Sequence, residues 1–158
     1  MLSRPKQIWL FCLRCLSVHT TRKPFRQRPS RKAGKHGRAM SEAAAKNHVY
    51  LVAGSIPESA DGHIYSTAYT FDREGRQIGK YRKMHMFDID VEGGQYYSES
   101  SVITAGDEVC VVETEFGPIG VAICYDVRFP ELFRLLAKRG AKAVVMPASF
   151  QQNNRTGT

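Results

Sequence analysis

The first forty residues contain no carboxylate: eleven Lys and Arg precede the first acid, Glu42. The chain also has no long apolar run, and nothing in it approaches the roughly 18 residues of a membrane helix. It has few cysteines, four in 158 residues. Cys12 and Cys15 lie close together near the start, while Cys110 and Cys124 stand far apart, so a disulfide-stapled scaffold is excluded and a reducing, intracellular setting is expected. A single Cys-x-x-Cys with only His19 nearby, no second pair and no following βαβ pattern argues against a zinc or redox site. The missing acids redistribute the charge. Against 15 Asp and Glu the 23 Lys and Arg give +8, yet residues 41–158 hold twelve cations and all fifteen acids, a net of −3. The basic character belongs to a leader, and it gives the body no specific nucleic-acid partner.

What is present is a composition for one soluble domain: 42% hydrophobic and 24% charged residues over a length able to bury a core. The domain is expected over residues 40–158, behind a basic, disordered leader over 1–39 unrelated to it. Arg14 interrupts the leader's apolar stretch and no small-x-small site follows, which disfavours a secretory signal. An Arg-rich, acid-free leader is compatible with mitochondrial import, with foreign sequence ahead of a cytoplasmic domain, and with a polybasic RNA-binding arm. The last is weakened because Phe25 is the only interleaved aromatic in its basic part.

From Ser41 the texture changes. SEAAAKNH reads as the last turns of a helix, and VYLVAGSI, residues 49–56, as a strand buried on both faces. Residues 64–72 form a second strand and REG the turn into RQIGKYRK. Residues 84–101 lack periodicity and predict a long loop. EVCVVETEFGPIGVAICYD predicts a hairpin about Phe116-Gly117-Pro118. RFPELFRLLAKRG predicts a helix with Pro130 in its first turn and Gly140 at its close, and AKAVVMPAS a buried strand. Strand, sharp turn, helix and strand make an α/β unit.

Two residues stand where chemistry is feasible. Cys124 ends the strand GVAIC just ahead of a helix, at the carboxyl end of a sheet and near backbone N–H groups able to bind a developing oxyanion. A cysteine there is otherwise simply a small core residue. A thiol nucleophile needs a basic or cationic neighbour, and Lys83, in GKYRKMHMFD, is the candidate. At about 4 Å, with an effective dielectric near 20, a lysine favours thiolate by up to ~4 kcal/mol.

Three motifs in order, VAGSI (residues 52–56), KMHMFD (83–88) and GVAICYDVRFPEL (120–132), resemble the nitrilase, or carbon-nitrogen hydrolase, superfamily and especially its ω-amidase-like branch. The resemblance implies an αββα sandwich, incomplete at both ends, in proteins that usually dimerise. It implies hydrolysis of a small-molecule amide, such as an ω-amide of a carboxylic or keto acid, through a Glu-Lys-Cys triad with no metal or cofactor. By position Cys124 matches the nucleophile and Lys83 the lysine that stabilises the oxyanion beside the Tyr125 backbone N–H. Glu99 resembles an auxiliary acid that helps position lysine and substrate. Arg128 is a candidate for a substrate carboxylate, and Asp126, Arg128 and Glu131 are expected to hold the elbow through ion pairs.

One member of the triad has no match. The general-base glutamate belongs well upstream of VAGSI, where this chain has only its acid-free leader, and neither Glu42 nor Glu58 fits the motif. The family pattern also continues beyond Thr158. The chain is therefore expected to be a domain fragment, inactive alone. The rival expectation is a non-catalytic family member serving as an interaction module with a basic arm.

Overall fold

The structure is a computed structural model and describes residues 34–90 and 96–148. The leader through residue 33, with Cys12, Cys15 and His19, lies outside the described residues, as do Glu92, Gly93, Gly94 and residues 149–158. Helix α1 (Gly34–Asn47) leads into β1 (Leu51–Ala60), β2 (His63–Phe71) and β3 (Gln77–Arg82), an antiparallel meander in the order β1-β2-β3. A short hairpin, β4 (Asp88–Asp90) with β5 (Tyr96–Ser98), follows. A second sheet has the order β6-β7-β8, with β6 (Cys110–Val112) antiparallel to β7 (Ile119–Val121) and β8 (Ala143–Val145) parallel to it. Between β7 and β8 lie a tight turn, Cys124–Arg128, and helix α2 (Pro130–Lys138).

Alternation in the strands builds four layers. Leu51, Ala53, Tyr69 and Phe71 point to one face of the first sheet, where Met40 and Ala44 of α1 cover them. The intervening Val52 and Ala68, with Tyr81, point the other way and join Val121, Ile123 and Val145 of the second sheet and Leu132 and Leu136 of α2 in one cluster. The sheets meet where Gly79 leaves room for Val112: a Cβ at Gly79 would collide with Val112 Cγ1. This is the αββα sandwich expected of the resemblance.

Several expectations change. Helix α1 runs back to Gly34 and crosses the boundary drawn at residue 40, because Met40 is part of its buried stripe and the turns before it continue the same helix. The first strand does not stop at Ile56. It continues to Ala60 through Pro57, which is tolerated because, among the described residues, β1 pairs only with β2 and its outer side needs no N–H. Residues 84–101 are not a plain loop, since β4 and β5 pair from Asp88↔Ser98 to Asp90↔Tyr96; the three-residue strands are too short to show a period. Only Val145 of β8 is buried, Ala143 and Val144 being exposed, so an apolar run overstated its burial. No helix among the described residues is long and apolar enough to cross a membrane.

Candidate active site

Cys124 stands at the sharp turn between β7 and α2. The parallel ladder with β8 carries on past β7: the Ala122 N–H donates to Val145 O at 3.1 Å and the Cys124 N–H to Pro147 O at 2.9 Å. The chain then reverses with Cys124 at φ +47°, in the left-handed region that costs a side-chain-bearing residue about 1–2 kcal/mol. The reversal leaves the thiol half-buried, packed against the edge of the main core cluster rather than enclosed within it. Tyr125 follows in the first turn, where a backbone N–H has no acceptor within the turn itself. Pro130 opens α2 and Gly140, at φ +91°, closes it.

Lys83 follows directly on β3. Its backbone is clamped, the N–H donating to Ser66 O at 2.8 Å and the carbonyl accepting from Gly106 at 2.8 Å. Its side chain is 4% exposed and its ammonium lies 2.5 Å from Glu99 Oε2. The same carboxylate oxygen accepts the Phe87 N–H at 2.8 Å, while the Glu99 N–H donates back to Phe87 O at 3.3 Å. Glu99 is thus tied to the exit of the lysine segment as well as to the lysine. The ammonium keeps two further donors.

The lysine segment and the cysteine turn meet on Asp126. This carboxylate is fully buried, and its Oδ2 accepts the Tyr81 hydroxyl at 2.7 Å and the Ile123 N–H at 2.8 Å. Its Oδ1 accepts from His85, from the backbone N–H at 3.2 Å and from ring Nδ1 at 2.7 Å. Burial raises the Tyr81 hydroxyl well above its ordinary range, and the Asp126 charge and hydrogen bond push it further, so Tyr81 stays a neutral donor. Beside this contact runs a chain of rings. His85 stacks on Phe129 with centroids 3.6 Å apart, Phe129 meets Tyr125 at 5.8 Å, Tyr125 meets Phe87 at 5.0 Å, and Phe87 meets Tyr97 at 5.6 Å.

The structure brings together Lys83 with Glu99, and it joins their segment to the turn that bears Cys124 and Tyr125. It does not bring in Arg128, which is exposed and forms no ion pair among the described residues. Nor does Glu131, also exposed. The expectation that ion pairs of Asp126, Arg128 and Glu131 hold the turn is corrected accordingly: Asp126 holds it, chiefly through hydrogen bonds to Tyr81, His85 and the backbone, and the other two face water at the surface of the α2 start. Sequence reading gave no role to Tyr81 and His85. Tyr81 had only its position two residues before Lys83 as a signal, and His85 its place in the KMHMFD motif.

The two unmatched glutamates have other engagements. Glu42 is exposed on α1. Glu58 is buried on the α1 side of the first sheet, where its carboxylate accepts from Thr67 (2.8 Å), Lys80 (3.1 Å) and Arg82 (2.9 and 3.0 Å). Arg82 in turn lies 3.8 Å over the Tyr65 ring. Burial would raise the Glu58 carboxyl, but the bonds from Arg82, Thr67 and Lys80 outweigh it and lower the group to about 2. Cys110, the other thiol among the described residues, is pushed up by burial.

Comparison with known proteins gives the family. The profile of the Carbon-nitrogen hydrolase family matches residues 17–158, reaching back into the basic leader. Nitrilase homolog 2 of Dictyostelium discoideum is 42% identical over 138 residues, covering 86% of this chain and 42% of that protein. Human omega-amidase NIT2 is 40% identical over 117 residues, covering 74% and 42%. The crystal structure of Saccharomyces cerevisiae Nit3, a member of branch 10 of the nitrilase superfamily, superposes with a TM-score of 0.66 at 35% identity, over 81% of this chain and 43% of that one. The chain spans less than half the length of these relatives. A cysteine at a strained strand-to-helix turn, a sheltered lysine–glutamate pair whose segment is bonded to that turn through Asp126, and above all a profile match over most of the sequence lead to one assignment: the chain belongs to the carbon-nitrogen hydrolase family.

Proposed function

We propose that this chain carries the thiol, lysine and auxiliary-acid part of an amidase site acting on the ω-amide of a small carboxylic or keto acid. Cys124 is the nucleophile: its sulfur bonds to the amide carbonyl carbon, the C–N bond breaks, the nitrogen takes up the proton given by the thiol and leaves as ammonia, and water then hydrolyses the acyl thioester to acid and free thiol. Lys83 and the Tyr125 N–H stabilise the oxyanion of the tetrahedral intermediate, and Glu99 holds the lysine in place. The observation that carries this reading is the buried Lys83–Glu99 pair, joined through its neighbours to Asp126, two residues beyond Cys124.

Neither of the two unmatched glutamates is offered to the site as the third triad member. Glu42 faces water and Glu58 is consumed by Thr67, Lys80 and Arg82. Loss of a positioned general base typically lowers rate by 10²–10⁴, so the reading is that acylation by an activated substrate survives while turnover of an unactivated amide does not. The test is a burst experiment with the p-nitrophenyl ester of a small dicarboxylic acid. A release approaching one equivalent of nitrophenol is expected, with the acyl group on Cys124 by peptide mass spectrometry and no burst in Cys124→Ser. Absence of acylation, with Cys124 alkylated no faster than free cysteine, would favour the non-catalytic alternative and refute the nucleophile. Steady release of ammonia from ω-amides, abolished by Cys124→Ala, would refute the claim of inactivity.

A further inference from the structure

Asp126 takes no part in the chemistry above, yet it is the most completely enclosed charged group of the described chain, with 0% exposure. Burying a carboxylate is costly unless its lone pairs are met. Here four donors meet them: Tyr81 and Ile123 on Oδ2, and two from His85 on Oδ1. The arrangement of those donors is informative. Tyr81 and His85 straddle Lys83 at two residues on either side, Ile123 directly precedes Cys124, and Asp126 follows Cys124 by two. A single carboxylate therefore spans the two segments that bear the lysine and the thiol. Because an ionised carboxylate only accepts, the contact at Nδ1 calls for a proton on that ring nitrogen of His85, and stacking on Phe129 keeps the ring in that plane. The circle is closed from the other side, where the Phe129 N–H donates to Asp126 O at 3.0 Å.

We propose that Asp126, Tyr81 and His85 form a positioning unit that sets the distance between Lys83 and Cys124. The inference rests on the roles given to those two residues above. Its expected size follows from Coulomb's law: at an effective dielectric near 20, moving a cation from about 4 Å to about 6 Å from a thiolate reduces the thiolate population about tenfold. The unit acts on Cys124 through Lys83, so its loss should be invisible once the lysine charge is gone.

The experiment is alkylation of the full 158-residue chain by iodoacetamide across pH, with the rate at each cysteine read separately by peptide mass spectrometry. Cys110, half-buried in the second sheet, reports general loosening. In Tyr81→Phe the Cys124 rate at pH 7 is expected to fall about tenfold, its rise with pH moving about one unit higher, while Cys110 is unchanged. His85→Gln, at a partly exposed position less disruptive to folding, should act in the same direction. Lys83→Met should slow Cys124 alone, and adding Tyr81→Phe to Lys83→Met should change nothing further. An unchanged Cys124 profile in Tyr81→Phe and His85→Gln, beside a fast wild-type Cys124, overturns the positioning unit and leaves the proposed function standing. A parallel rise at Cys110 and Cys124, or full additivity in the double variant, shows a merely structural role and also overturns it. A wild-type Cys124 no faster than free cysteine refutes the roles of Cys124 and Lys83, and the positioning unit falls with them.

Discussion

Glu58→Gln tests the electrostatic reasoning at a point away from the chemistry. In the folded chain the carboxyl is lowered from 4.5 to about 2 by Arg82, Thr67 and Lys80, against the opposing effect of burial. A depressed folded-state value stabilises the fold at pH above the unfolded value and loses that contribution as pH falls from about 4.5 towards 2. A shift of about 2.5 units corresponds to about 3 kcal/mol, which screening around the part-exposed Lys80, at 39%, lowers towards 2. Glutamine keeps an acceptor for Thr67 but carries no charge to balance Lys80 and Arg82. Urea unfolding of both proteins should therefore show the variant less stable by about 2–3 kcal/mol at pH 7, and the gap should shrink by more than half by pH 3. A gap that stays constant from pH 7 to pH 3 would mean that the cost is lost packing, and the assignment of the stabilisation to the carboxylate charge would be wrong.

Other substitutions probe the layers and the turn. Leu136→Ala removes a side chain of 0% exposure between α2 and the second sheet, and should cost about 2–5 kcal/mol in denaturant unfolding. Gly79→Ala sets a methyl against Val112 where the two sheets touch, and a loss of about 1–3 kcal/mol is expected; a neutral result would show that the sheets separate easily there. At Cys124 the left-handed backbone favours glycine, so Cys124→Gly should be more stable to heat than Cys124→Ala by about 1 kcal/mol, despite glycine's greater freedom in the unfolded chain. The reverse order would argue against the strained turn.

Much of the layering was legible because it rests on local signals. The apolar run of β1, the proline and glycine that bracket α2 and the turn at Phe116-Gly117-Pro118 each read correctly, since the backbone there obeys its own residues. The β4–β5 hairpin did not, because three-residue strands are fixed by pairing across the hairpin rather than by pattern. Glu58 shows the same limit in another way. Partner register slips by one residue between Ala53 and Ile56, so Glu58 falls on the α1 face with Thr67, Lys80 and Arg82, whereas unbroken alternation from Leu51 and Ala53 would send it to the other. A bulge leaves no mark in a hydrophobic pattern.

The sequence by itself determined an α/β chain with a basic leader and a net acidic body, and marked Cys124 and Lys83 as a thiol and a cation where chemistry is feasible; the αββα sandwich and the place of Glu99 came with the family resemblance that three motifs in order carry. Only the tertiary structure decided how those residues are held. The Lys83–Glu99 pair spans sixteen positions and the bonds from Tyr81 and His85 to Asp126 span more than forty. Contacts between residues so far apart are set by how the two sheets pack, and a buried carboxylate is satisfied only by the donors that packing delivers.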